Sequence, residues 1–247
     1  MYASSSFSTL PVAEFVLISA GSVLLVGWFA RRQFQLATPL LNLRAFGYAQ
    51  FRYSVVILAG AVFLFLGLEL MMPMYTQQVL LTGTATGLIL LPASIAQAAA
   101  APLFGRLLDK KGGRFVVLPA TVMMVVSLAV MWLFLRLDTQ TAALSAMFAL
   151  MAVSVSGCVT GETLGLNALP KQLNPHGAAI MTTINPIAGA LGAAFFVGTT
   201  NIGEQLSSAP TAPAKMLDGI HLAMGCALLL AAGLVFFATK LRSHKAA

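Results

Sequence analysis

Seven apolar runs, each of about 20 residues, recur along this chain, and nearly all of its charge sits in the short segments between them. They fall at about 13–30, 54–72, 84–104, 115–135, 142–165, 178–197 and 219–239. A run of this length matches the hydrocarbon thickness of a bilayer, and a helix satisfies its own backbone hydrogen bonds there. Composition agrees, with 59% hydrophobic residues and a mean hydropathy of +0.90, against ~45–50% apolar in soluble domains. The expected fold class is an all-α integral membrane protein with seven transmembrane helices.

A formal net charge of +7 raises the question of nucleic acid. The basic residues, however, are dispersed among short loops rather than gathered on one face, so membrane topology explains them and no nucleic-acid partner is expected. If the runs alternate in direction, one side receives Arg31, Arg32, Arg44, Arg52, Arg106, Lys110, Lys111, Arg114, Lys171, Lys240, Arg242 and Lys245. Only Arg136 and Lys215 fall opposite. Basic residues prefer the cytoplasmic side. A multi-pass plasma-membrane protein follows, with its N-terminus external and its C-terminus cytoplasmic.

Residues 1–53 divide into an external N-terminus, a first helix that stops at Arg31–Arg32, and an amphipathic cytoplasmic connector holding Arg44 and Arg52. Residues 54–247 carry the remaining six spans. Cys158 and Cys226 both lie inside apolar runs and read as packing residues. His176, His221 and His244 lie near predicted span boundaries and form no metal constellation. No phosphate-binding loop, nucleophile elbow or zinc spacing is present, so neither catalytic residues nor a cofactor nor a metal is expected, and an ATP-driven pump or hydrolase is disfavoured.

Chemistry then rests on polar groups within the spans, which cost a few kcal/mol each in hydrocarbon. Glu162 is the first proton-coupling candidate, because a carboxyl group surrounded by apolar matter exchanges its proton near neutral pH. Snorkelling to water or pairing with Lys171 is the alternative. Glu69 is the second candidate, placed near the outer boundary where snorkelling competes. Ser154, Cys158 and Glu162 share one helical face, with Gly157, Gly161 and Gly165 as an adjacent ridge. Asn185–Pro186, followed by Gly189 and Gly192, is the candidate helix break or cavity wall, with a plain kink as the alternative.

The densest charge cluster, Gly105–Arg114 (GRLLDKKGGR), joins two apolar runs, and its glycines allow a tight reversal. Gly105, Leu107, Asp109, Lys110, Gly112 and Arg114 resemble the G-x-L-x-D-[RK]-x-G-x-[RK] loop of the major facilitator superfamily. In that family the loop is cytoplasmic, and its Asp helps to latch one conformation. The stretches TPLLNLRAF, GLILLPASIAQAAAAPLF and GALGAA are similar to the fourteen-helix drug:proton antiporter branch, so the resemblance covers about residues 38–240. It implies one linker helix plus the C-terminal six-helix half of such a transporter. Export of small hydrophobic or cationic substrates against protons is the implied activity. Where that branch often has Arg–Gln before the glycine run, this chain has Asn185–Pro186.

The resemblance also implies a missing partner, since the family works with two six-helix halves. The ridges Gly157–Gly161–Gly165 and Gly189–Ala193 are expected to lack partners within one half, and so to seat an N-terminal half or a second copy. A membrane fragment or assembly subunit of a split transporter, without transport of its own, is the alternative function.

Overall fold

Apolar runs long enough to cross a bilayer become helix almost throughout. The structure, a computed structural model, describes residues 42–81 and 85–241. Among these residues there is no β-strand, and six helical spans are long and apolar enough to cross a membrane. They are α1 (Ala49–Gln78), α2 (Ala85–Lys111), α3 (Gly113–Phe134), α4 (Thr141–Val159) continued by the short α5 (Gly161–Asn167), α6 (Asn174–Leu206) and α7 (Ala212–Thr239). A 3-10 turn at Leu43–Gly47 precedes them. The expected first span at 13–30, and the basic residues Arg31, Arg32, Arg242 and Lys245, lie outside the described residues.

Ala45–Ala247 forms one unit; of the other, Met1–Arg44, only Asn42–Arg44 are described, and there the Arg44 N–H donates to Asn42 Oδ1 at 3.1 Å. Within the larger unit α1 packs on α4–α5, α6 and α7, while α2 packs chiefly on α4 and α3 bridges α4 and α7. Helix α6 also packs on α7, whereas α2 and α3 barely meet beyond the loop that joins them. The six spans pack as one bundle. Leu64, Leu68, Met124, Leu128, Phe148, Met151 and Met224 fill the space between them.

Prolines interrupt four of the spans, and in no case end them. Pro92 removes the helical donor for the Leu88 carbonyl. The Ser145 hydroxyl of α4 donates to that carbonyl instead, at 3.3 Å, which is how membrane helices tolerate proline. Pro73 likewise fails to close α1. Thr76 bonds back to the carbonyls of Met72 and Pro73, and the helix continues to Gln78. Glu69 therefore lies within α1 rather than in its last turn.

Two further expectations are corrected. The candidate break at Asn185–Pro186 is absent, and α6 runs through it as helix, as its alternative reading of a mere kink allows. Both flanks are anchored: Met181 reaches Gly165 of α5, and Gly189 faces Leu66 of α1. One missing hydrogen bond does not open a helix held at either side. Nor are the small-residue ridges unpartnered. Gly157 faces Ala120 and Phe104, Gly161 faces Val117, and Gly165 faces Ser54 and Met181. Gly192 lies against the Phe63 backbone and Gly189 against Leu66. Removal of the β-carbon lets these helices approach each other, so both ridges are consumed inside the six-helix half.

Candidate functional site

The fifth predicted span is one helical stretch, Thr141–Asn167, whose regularity breaks locally at Thr160 while the backbone there stays right-handed helical at φ −61° and ψ −18°. The Thr160 hydroxyl donates to the Gly157 carbonyl at 2.6 Å, a local bond that competes with regular helix. Gly157 and Gly161 flank it without side chains to stiffen the turn, and α4 gives way to α5 between them. Glu162 stands in the first turn after this irregularity.

A groove of about 480 Å³ opens between α2 and α4–α5. Ser94, Gln97 and Ala98 line it on one side, and Ser156, Thr160, Glu162 and Thr163 on the other. The Ser156 hydroxyl reaches the Gln97 carbonyl at 3.4 Å and ties the walls together. Pro102 deprives the Ala98 carbonyl of its helical donor, which adds an acceptor to the α2 wall. Glu162 is half-buried, and among the described residues it forms no ion pair, with Lys171 or any other base. A carboxyl group among hydroxyls, an amide and a freed carbonyl has the partners needed to bind a proton or a cation and release it again.

Of the three residues predicted to share one face, Ser154, Cys158 and Glu162, only Glu162 lines the groove. Ser154 and Cys158 are fully buried, and the Ser154 hydroxyl is occupied by the Met151 carbonyl at 2.6 Å. Glu69 is half-buried on α1 without an ion pair among the described residues, and it does not line this groove. Asn185 is half-buried in α6 with its Oδ1 enclosed and unpartnered. The groove residues other than Glu162 escaped the sequence reading. Their signal was available: Ser94 and Gln97, and Ser156, Thr160 and Thr163, are polar residues at helical spacing inside apolar runs.

The charged loop is shorter than its composition suggests. Helix α2 runs to Lys111 and α3 begins at Gly113, so Gly112 alone makes the reversal, at φ 83° and ψ 163°. That region of backbone space is open essentially to glycine alone. Gly113 in turn admits Leu164 of α5 against its backbone. Asp109, Lys110 and Arg114 are exposed, and among the described residues Asp109 has no basic partner. Nothing lies within 4 Å of a β-carbon placed on Gly105.

No family model matches the chain. Among curated proteins it is 34% identical over 180 residues to the lincomycin resistance protein LmrB of Bacillus subtilis, and 31% identical over 194 residues to LmrB of Listeria monocytogenes. These alignments cover 71% and 77% of this chain but 37% and 40% of the relatives. The chain thus spans well under half the length of the proteins it matches. It is also 32% identical over 190 residues to YcnB of Bacillus subtilis, an MFS-type transporter. Six membrane-capable spans, the glycine-reversed charged loop between α2 and α3, and 31–34% identity to these proteins over 70–77% of the chain place it in the major facilitator superfamily.

Proposed function

We propose that this chain is the C-terminal half, with a linker helix before it, of a proton-coupled multidrug efflux permease that works by alternating access. The observation that carries this reading is the groove at Glu162, an acid within a membrane span that has no ion-pair partner among the described residues. Glu162 takes up and releases the coupled proton, while the surrounding hydroxyls and Gln97 stabilise either charge state. The exported compounds are small hydrophobic or cationic molecules; that two of the relatives are lincomycin resistance proteins supports a drug as cargo.

The groove lies beside α2, and only 17% of the most apolar stretch of α2 is buried. A complementary six-helix half covers that face and supplies the second wall of the transport path. Asp109, exposed and without a basic partner among the described residues, latches against that half. The charged loop faces the cytoplasm, with the N-terminus outside.

Two measurements test this. Lys110→Cys and Ser208→Cys, each in a Cys158→Ala/Cys226→Ala background, should be labelled from opposite sides, with Lys110→Cys silent to an impermeant reagent outside intact cells. External labelling of that variant reverses the orientation. In proteoliposomes with an imposed proton gradient, the chain alone should not accumulate a cationic dye, and co-assembly with an N-terminal half should restore uptake. Glu162→Gln should bind dye yet lose the dependence of uptake on the gradient, whereas Asp109→Asn should slow uptake severalfold with that dependence intact. Unchanged proton dependence in Glu162→Gln removes this residue from the coupling. Failure of every N-terminal half to restore uptake favours the non-transporting assembly subunit.

A further inference from the structure

The end of the bundle that carries the charged loop also brings together the start of α1 and the end of α7. Arg52 lies over the ring of Tyr53, its Cζ 5.7 Å from the centroid. Tyr53 meets Phe237 at 6.3 Å, and Phe237 meets Phe236 edge-on at 5.8 Å. Lys240 Nζ then lies over the Phe236 ring at 5.2 Å. Two cations on different helices are thus joined by an unbroken ladder of aromatic contacts. Arg52 and Lys240 are both exposed, and neither has an acidic partner among the described residues. Each ring attracts its cation and restrains where it can go, but supplies no counter-charge.

Below the ladder runs an apolar track. Leu222, Leu229 and Phe236 recur every seventh residue on α7 and are 41%, 76% and 60% exposed. One face of the helix thus carries large apolar side chains toward its surroundings, and Lys240 stands one turn beyond the last of them. An acyl chain fits such a track, and a negatively charged headgroup fits its end.

We propose that Arg52 and Lys240 form a seat for the headgroup of one anionic phospholipid. The phosphate is held between the two cations, and an acyl chain lies along Leu222, Leu229 and Phe236. Rings at the polar–apolar boundary suit this position, because aromatic side chains favour the headgroup level of a bilayer. The requirement for a tail distinguishes a lipid from free phosphate, and the requirement for negative charge distinguishes it from a zwitterionic lipid.

Native mass spectrometry of the full chain, released from neutral detergent, tests this seat with phosphatidylglycerol and phosphatidylcholine of equal acyl length. The wild-type chain should retain phosphatidylglycerol preferentially. A basic residue near an anionic lipid surface contributes about fivefold in affinity, so Arg52→Gln or Lys240→Gln should each lower retention by about that factor and the pair by ~25-fold. Arg52→Lys/Lys240→Arg should keep it. Lys111→Gln/Lys171→Gln, which removes two exposed cations elsewhere, should leave it unchanged. Equal retention of the two lipids overturns the seat, as does an equal loss in the Lys111/Lys171 pair, which assigns binding to general surface charge. Displacement of the lipid by inorganic phosphate also overturns it, by showing a bare anion site. The single variants decide the matter if the double variant unfolds. All of these readouts are independent of transport.

Discussion

Gly192→Val should abolish the folded monomer, whereas Gly198→Ala, in the same helix, should leave it intact. A β-carbon on Gly192 runs into the carbonyl oxygen and backbone of Phe63. A colliding side chain changes rotamer, but a colliding backbone requires the whole helix to move. At the same crossing, a β-carbon on Gly67 comes within 2.7 Å of the Gly192 carbonyl, so α1 has no room to retreat along the contact. Overpacking in a well-filled interior costs about 1–3 kcal/mol when side chains can adjust. Backbone-on-backbone contact here puts the expected cost at the upper end of that range or beyond, enough to unfold a marginally stable chain. Gly198 has nothing within 4 Å of its missing β-carbon, and its substitution should change stability by no more than ~0.5 kcal/mol. Size-exclusion profiles and thermal unfolding in mild detergent measure both variants. A stable, monodisperse Gly192→Val chain refutes the close α1–α6 crossing.

Gly112→Ala should destabilise the chain by about 1–3 kcal/mol, the usual cost of forcing a side chain into backbone space reserved for glycine. The reversal leaves no slack to distribute the strain, because α2 and α3 end on either side of this one residue. Gly105→Ala, in the same charged loop motif, should leave stability unchanged, since the space in front of it is open. The pair separates two reasons for a glycine. Gly112 answers to the backbone of this chain, whereas any demand for a small residue at Gly105 comes from outside the described residues. Thermal unfolding of the two variants side by side provides the measure. Equal stability in both removes the backbone explanation for Gly112.

Asn185–Pro186 and Thr160 show where local signals mislead. Proline next to asparagine is the stronger local breaker, yet α6 continues through it because its flanks are packed on α5 and α1. Thr160 carries no comparable signal, but its hydroxyl captures the Gly157 carbonyl and the helix loses its regularity there for one residue. Glu162 was recognisable as an acid in an apolar run. The company it keeps was not, because Ser94 and Gln97 lie on a different helix and some sixty positions away. The glycine ridges were misread for a related reason. Spacing shows that a face is small, and smallness is the same whether the close neighbour belongs to this half or to another molecule.

What the sequence alone determined is what depends on transfer between water and hydrocarbon. Run length and charge placement make helix the only economical backbone state across a bilayer, so the α-class, the six described spans and the asymmetric placement of basic residues were legible without coordinates. The tight reversal in the charged loop was legible too, since glycine alone tolerates its geometry. Only the tertiary structure decided which small face meets which helix, that Pro73 and Pro186 are bridged, and that Glu162 opens onto a polar groove while Ser154 and Cys158 are sealed in the core. It alone joined Arg52 to Lys240 through three rings. These outcomes depend on contacts between residues far apart in the chain, and the pattern along one helix does not encode the identity of the neighbour it will meet.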